Sequence, residues 1–496
     1  MHGDEKSDRP VVPASPPNKA AQAVAEVGEG SGLGKENAVC ATRPGHRAGL
    51  SVPSALDRVR RVATKDKKVR FTALLHHVDV DRLRAAYWAL NPKAASGVDG
   101  VTWEDYGQDL EANLRDLHAR VHRGAYRARP SRRVYIPKAD GRQRPLGVAA
   151  LEDKLLQRAV VEVLNAVYEA DFLGFSYGFR PGRSPHQALD ALATGVLRRK
   201  VSWVLDADIR GFYDSIDHGW LLRFLEHRIA DKRLLRLIRK WLKAGVIENG
   251  EWSETREGTA QGASVSPLLA NVYLHYVFDL WADQWRRRHA HGDVIIVRFA
   301  DDYIVGFQHR GDAERFLAEL RSRLAQFRLE LASEKTRLIE FGRFAAERRQ
   351  KRGLGKPETF AFLGFTHICG KTKNGRFQLK RITEAKRLQA KLREVKTELM
   401  RRRHLPVPEQ GRWLASVVRG HLAYYAVPGN GKAVNAFRYQ AIRHWHRALR
   451  RRSQRSSLNW KRMSRLAQRS LPPVRIIHPW PDARFHARIQ AKSPVS

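Results

Sequence analysis

The chain has 496 residues, with 91 Lys and Arg against 51 Asp and Glu, a formal charge of +40, and 43% apolar residues. That apolar share excludes a wholly disordered chain, and a pI near 10.8 makes a polyanion, above all nucleic acid, the expected partner. The two cysteines, Cys40 and Cys369, exclude a disulfide framework and a Cys-paired zinc site, and they fit a reducing cytoplasm.

Residues 1 to about 65 are rich in Ala, Pro, Gly, Ser and Val and lack periodicity. They are expected to form a flexible tail without a secretory leader, with order beginning near Val69. Leu83, Ala86, Tyr87 and Leu90 then recur at helical spacing, as do Leu156, Ala159, Val160, Val163, Leu164 and Val167 between Asp153 and Ala170. Trp203-Val204-Leu205 reads as a short strand running directly into aspartates. Ala263 to Ala282 is apolar but broken by Asn271, His275 and Asp279, with Pro267 near its start. That pattern predicts a buried core helix rather than a membrane span.

Val294-Ile295-Ile296-Val297 is a second strand ending on aspartates, and Tyr303 to Phe307 reads as its hairpin partner. A helix from Asp312 to Phe327 carries Phe316, Leu317, Leu320, Leu324 and Phe327. Composition shifts after about Lys380: residues 381–496 hold 27 Lys and Arg against 5 Asp and Glu, a net of +22. No acid occurs between Gly411 and Trp480. The stripe Leu388, Leu392, Val395 and Leu399 makes this region a separate basic, helical domain. The pattern is α+β, with short strands presenting acids and helices behind them.

The first strand leads into Asp206-Ala207-Asp208-Ile209-Arg210-Gly211-Phe212-Tyr213, and the hairpin carries Phe299-Ala300-Asp301-Asp302. Neighbouring carboxylates raise each other's pKa, a cost that a bound cation removes. Two Mg²⁺ ions clamped by carboxylates about 4 Å apart serve in-line displacement at phosphorus. A lone Asp-Asp pair is otherwise an ordinary polar turn, so context decides.

The context is an ordered series. It comprises Arg144-Pro145-Leu146-Gly147, Asp208 with Phe212-Tyr213, Gln261-Gly262 with Ser266-Pro267-Leu268-Leu269-Ala270-Asn271, Phe299-Ala300-Asp301-Asp302, Lys335-Thr336 and Phe362-Leu363-Gly364-Phe365. Ser96-Gly97-Val98-Asp99-Gly100 and Phe179-Arg180-Pro181-Gly182-Arg183-Ser184 support it. Over roughly residues 80 to 480 the series resembles the reverse transcriptase/maturase proteins encoded within bacterial group II introns.

The resemblance implies a right-hand polymerase, with fingers and palm built on antiparallel sheet and followed by an α-helical thumb/maturase domain. The expected segments are a tail at 1–65, fingers and palm at 66–380, thumb at 381–480 and a C-terminal tail at 481–496. Asp208, Asp301 and Asp302 match the palm's catalytic, metal-binding acids for two Mg²⁺ ions, with Asp206 the neighbouring alternative for the first. Lys138, Arg144, Tyr213, Gln261 and Lys335 match residues that bind the dNTP. Tyr213 would filter the sugar by clashing with a 2′-OH, and Lys335 would face the pyrophosphate. Core packing for Tyr213 and a solvated surface for Lys335 are the plainer alternatives.

The same resemblance implies an RNA-directed DNA polymerase that binds group II intron RNA and assists its splicing and mobility. Its partners would be that RNA, an RNA template, a DNA primer and dNTPs. It would work in the bacterial cytoplasm, associated with nucleic acid and not with membrane, and homodimerisation is compatible with it. Arg412, Arg419, Arg443, Arg447, Arg450 and Arg451 are the candidate RNA contacts. Tyr424, Tyr425 and Trp445 suit core packing better than base stacking. A splicing cofactor without polymerisation is one alternative, which the retention of all three acids opposes. A domesticated defence or repair enzyme is another, which the presence or absence of a flanking intron RNA would decide.

Departures from the family pattern are Ala260 for Pro, Ala263 for Gly and Phe299 for Tyr. None touches a metal ligand, so activity is expected, with rate or fidelity altered. No Cys and His pairs of an endonuclease follow Cys369, so target-DNA cleavage is not expected.

Overall fold

The computed structural model describes residues 55–137, 143–248, 250–255, 257–259, 261–452 and 458–484. In chain order the elements that frame the site begin with α1 (Ala55–Lys65) and the strands β1 (Ser131–Pro137) and β2 (Gln143–Val148). Then come α2 (Leu151–Tyr168), α3 (Pro185–Arg198), β3 (Trp203–Ala207), β4 (Val246–Glu248), β5 (Glu251–Ser253) and α4 (Ser266–Leu274). The hairpin β6 (Val294–Phe299) and β7 (Asp302–Phe307) precedes α5 (Arg310–Gln326) and β8 (Arg337–Glu340). Strands β9 (Phe360–Phe362), β10 (Phe365–Lys371) and β11 (Phe377–Thr383) follow. Last are the helices α6 (Ala385–Arg401), α7 (Val407–Tyr425), α8 (Gly431–Arg450) and α9 (Trp460–Ser470).

The strands form three sheets, ordered β2-β1-β4-β5, β6-β7-β3-β8 and β11-β10-β9. The central sheet is antiparallel throughout, as the short, acid-tipped strands predict. Its side chains alternate between two cores, the period-2 consequence of a pleated strand. Leu205, Ala207, Ile296, Tyr303 and Val305 face a core shared with α1, α2, α4 and α5. Val204, Val297, Ile304 and Ile339 face a second core shared with α3, β9 to β11 and the helices α6 to α9. The basic C-terminal helices therefore pack on the same sheet that carries the acids.

One expectation needs correction. The tail does not run to residue 65, because α1 buries Leu56, Val59 and Ala63 on one helical stripe and packs into the first core. Alanine-rich composition masked that i, i+3, i+7 spacing. Residues 1–54 lie outside the described residues. The apolar run after Ala263 is the buried helix expected of it: α4 continues through a π-helical turn, His275–Asp279, into a further helix ending at Arg288. Among the described residues no helix is long and apolar enough to cross a membrane.

Candidate active site

Antiparallel register brings the acids together. Leu205 pairs with Val305, Asp206 with Ile304 and Ala207 with Tyr303, so one step further sets Asp208 opposite Asp302. Phe299 pairs with Asp302 across the hairpin, leaving Ala300 and Asp301 as its two-residue turn. Asp208 is buried, and Asp301 and Asp302 are half-buried. Asp206 lies opposite Arg337 on β8, its Oδ2 4.0 Å from that guanidinium. Beneath the acids lies the Tyr303 hydroxyl, fully buried and without a hydrogen-bond partner among the described residues. Burial, and then the charges of Asp208, Asp206 and Asp302, hold its pKa well above the ordinary phenol value. The negative potential is thus concentrated at this end of the sheet.

The turn is held by a residue that sequence reasoning missed. Ala300 has φ +57°, a left-handed conformation costly for a residue with a Cβ. Arg298, fully buried, reaches across to fix it. Its Nη1 donates to Ala300 O at 2.7 Å and to Asn271 Oδ1 at 3.0 Å. Its Nε and Nη2 grip Asp279 at 2.7 and 2.6 Å, and Nη2 also reaches Ser176 Oγ at 2.7 Å. Five bonds employ all five guanidinium donors. Asn271 Nδ2 in turn donates to Gly178 O at 2.7 Å. A Cβ on Gly178 would stand 2.2 Å from Ala300 N, so only glycine lets this segment back the turn.

Three of the expected substrate-binding residues, Lys335, Tyr213 and Gln261, are tied to this end of the sheet or to one another. Lys335 Nζ lies 3.0 Å from Asp208 Oδ2, and its turn is tied to the same residue by Ala332 N donating to Asp208 O at 2.8 Å. Tyr213 sits half-buried in a short helical turn, Phe212–Asp214, that follows Gly211 at φ +52°. Thr259 N donates to Tyr213 O at 2.8 Å, and Gly147 N on β2 donates to Gln261 O at 2.6 Å. Gly258, at φ +85°, approaches so closely that a Cβ would lie 2.9 Å from Tyr213 O. The loop bearing Gln261 is therefore fastened to the Tyr213 turn on one side and to the β1–β2 hairpin on the other.

Arg144 lies on β2 opposite Ile136, whereas Lys138 and Ala260 fall outside the described residues. Ala263 is buried, and the Phe299 ring stands 6.3 Å from that of Phe179. Among the described residues no three His, Cys, Asp or Glu side chains form a ready-made metal cage.

The candidate RNA contacts lie on the C-terminal helices. Arg412 and Arg419 are exposed on α7, Arg447 and Arg450 on α8, and Arg451 just beyond it, while Arg443 is half-buried. Trp445 is a core residue, fully buried with Nε1 donating to Gln410 Oε1 at 3.1 Å. Tyr425 is buried, and half-buried Tyr424 stacks on Phe365. The exposed aromatics of this region are others, Tyr439 and Trp460 on the helices and Trp480 beyond them.

Residues 136–367 match the family described as reverse transcriptase (RNA-dependent DNA polymerase). The chain is 36% identical over 220 residues to protein YkfC of Escherichia coli K12, an alignment covering 43% of this chain and 58% of YkfC. It is 35% identical over 222 residues to the group II intron-encoded protein LtrA of Lactococcus lactis subsp. cremoris, covering 44% and 37%. Over 113 residues it is 28% identical to the mitochondrial nuclear intron maturase 2 of Arabidopsis thaliana, covering 21% and 15%. The chain thus spans little more than half of YkfC and just over a third of LtrA.

Proposed function

We propose that the chain, whose residues 136–367 match the reverse transcriptase family, is an RNA-directed DNA polymerase that also binds group II intron RNA and assists its splicing and mobility. The observation that carries the reading is the placing of Asp208 beside the Asp301-Asp302 turn at one end of the central sheet. In this reading the arrangement is a right hand. The β1–β2 hairpin belongs to the fingers, the central sheet to the palm, and helices α6 to α9 to the thumb/maturase part, with segments 66–380 and 381–480. Segments at 1–54, before α1, and 481–496 complete the division.

Reverse transcriptases use divalent metal ions, and this donor set fits them. Carboxylate oxygens are hard ligands, and Mg²⁺ commonly takes only one or two carboxylates, completing its shell with water and substrate phosphate. The lack of a closed protein cage is therefore compatible with it. Asp208, Asp301 and Asp302 would hold two Mg²⁺ ions. When bound, the metal lowers the pKa of the primer 3′-OH and stabilises charge on the departing pyrophosphate.

The chain's own groups do the rest. The 3′-oxygen bonds to the α-phosphorus as the bond to pyrophosphate breaks. The hydroxyl proton passes to solvent, and the Lys335 ammonium, which matches the family's position on the pyrophosphate side, gives one to the leaving group. Tyr213 sets a ring where a 2′-OH would collide, Gln261 offers an uncharged amide, and Lys138 and Arg144 match the triphosphate-binding positions of the family. Arg suits phosphate through its planar fork. The basic C-terminal surface suits folded RNA, which proteins recognise largely by shape and backbone. A cytoplasmic, nucleic-acid-associated protein follows from this reading.

The test is dNTP incorporation by the purified protein on an RNA template with a DNA primer, alongside splicing of a cognate intron RNA in vitro. Incorporation without any effect on splicing would remove the maturase half of the proposal. Absence of both would remove the whole.

A further inference from the structure

Two large aromatic side chains of the C-terminal helices remain in water without a core to fill. Tyr439 on α8 is 51% exposed and Trp460, at the start of α9, is 41% exposed. They are not loose. Their rings meet edge to face at 70° with centroids 5.9 Å apart. The His446 ring lies 5.5 Å from that of Trp460, and His446 Nε2 meets Leu458 O at 2.8 Å. Asn459 caps α9 by accepting from Arg462 N at 2.9 Å, which fixes the point where Trp460 emerges. The Arg443 guanidinium stands 5.9 Å over the Tyr439 ring.

The helical repeat sets the charge beside the rings. Positions 439, 443, 447 and 450 recur about one turn apart, so Tyr439, Arg443, Arg447 and Arg450 share one side of α8. The opposite side, with Phe437, Ala441, Trp445 and Ala448, is buried in the second core. No acid lies between Gly411 and Trp480 to neutralise the arginines.

We propose that Tyr439 and Trp460 form a stacking platform for unpaired bases of single-stranded RNA, with Arg443, Arg447 and Arg450 tracking its phosphates. The proposal rests on the reading of this chain as an RNA-binding polymerase and deepens it, adding two exposed rings to the arginines already read as RNA contacts and naming unpaired bases as what they take. Exposed rings interleaved with arginine are the arrangement that binds single strands, because every base offers a face to stack on and every nucleotide a phosphate. A protein partner is a poorer match, since the centres of such interfaces are depleted of charge. A lipid surface is poorer too, because the continuous apolar face it needs on α8 is already buried.

The test uses the full chain and fluorescently labelled oligouridine and oligoadenine, titrated at several salt concentrations. A hairpin duplex of RNA and single-stranded DNA of matching sequence serve as comparisons. Tyr439→Ala and Trp460→Ala should each weaken single-stranded RNA binding at least about fivefold while leaving the salt slope unchanged. Tyr439→Phe and Trp460→Phe should retain it, and duplex affinity should not move. Arg447→Gln should instead flatten the slope.

Equal loss on duplex and single strand, or no loss at all, would overturn the platform. Tighter binding of the DNA strand would overturn its assignment to RNA. If the alanine variants fail to fold, photocrosslinking of iodouridine RNA to the unaltered protein decides, because the adduct must map to Tyr439 or Trp460. Incorporation of dNTPs by the wild type, run in parallel, separates the two ideas. Normal polymerisation with no platform effect removes only the platform.

Discussion

Lys335 Nζ stands 3.0 Å from Asp208 Oδ2, with both side chains largely withdrawn from water. The ammonium neutralises the acid on which the proposed chemistry depends. Removing it leaves a buried carboxylate beside Asp302 without its counter-charge, a change worth about 1–3 kcal/mol at a partly buried site. Lys335→Met is therefore expected to lower the melting temperature clearly in the presence of a chelator. Excess Mg²⁺ should recover most of that loss, since a bound cation restores the balance. Equal destabilisation with and without Mg²⁺, read by circular dichroism, would show that Lys335 does not serve as the acid's counter-ion.

Arg298 supports the catalytic turn from behind, and its pairing with Asp279 is wholly buried. Arg298→Met strands that carboxylate and frees Ala300 O, so a loss of about 3–5 kcal/mol is expected. Asp279→Leu in the same background removes the stranded charge and should cost much less than the sum of the two single changes. Urea unfolding of the two single variants and the double variant measures this. Strict additivity would mean that the pair is not coupled as the geometry requires.

Much of the site was legible in the sequence for physical reasons. Two short apolar runs, Trp203-Val204-Leu205 and Val294-Ile295-Ile296-Val297, lead directly to aspartates, and a hairpin after the second run was visible, whereas its two-residue turn came only with the register. Arg298 was not legible, because a basic residue at the end of an apolar strand reads as a surface position. Its partners Ser176, Asn271 and Asp279 are scattered over the chain with no local spacing to join them. Helix α1 had the signal in Leu56, Val59 and Ala63, but the surrounding composition concealed it. On α8 the aromatic content was visible. Which ring faced inward depended on the helix's orientation, and Trp445 took the core while Tyr439 did not.

Tyr213 tests the proposed sugar filter. Its backbone is locked by the Gly258–Thr259 approach, so removing the ring should leave the turn in place. Tyr213→Ala is expected to raise ribonucleotide use relative to dNTP by about ten- to a hundredfold, the range over which a steric pocket discriminates. An unchanged ratio in single-nucleotide incorporation would place the filter elsewhere.

Acid should unfold the protein early. Burial lowers the pKa of His421 to about 3, of His186 to about 3 and of His275 to about 4. In the unfolded chain each titrates near 6.5. As pH falls below that value the unfolded state binds protons that the folded state refuses, so stability is lost from about pH 6.5 down to each depressed value. Each such histidine contributes about 1.4 kcal/mol per pH unit within the window. His421, stacked on Phe437 at 3.6 Å, can be replaced by Phe without losing the contact. His421→Phe should flatten the pH dependence of unfolding between pH 6 and 4 by about one proton. A slope identical to wild type would mean that His421 is protonated in the folded state.

The most direct measurement is primer extension on an RNA template by Asp208→Ala and Asp301→Ala, with RNA affinity measured on the same preparations. Each substitution removes an acid from the end of the central sheet while leaving Arg298 and the C-terminal basic surface intact. The account predicts that cDNA synthesis is abolished in both variants and that RNA binding stays near the wild-type level. Extension by either variant within about tenfold of wild type, roughly 1.4 kcal/mol of barrier, would contradict it.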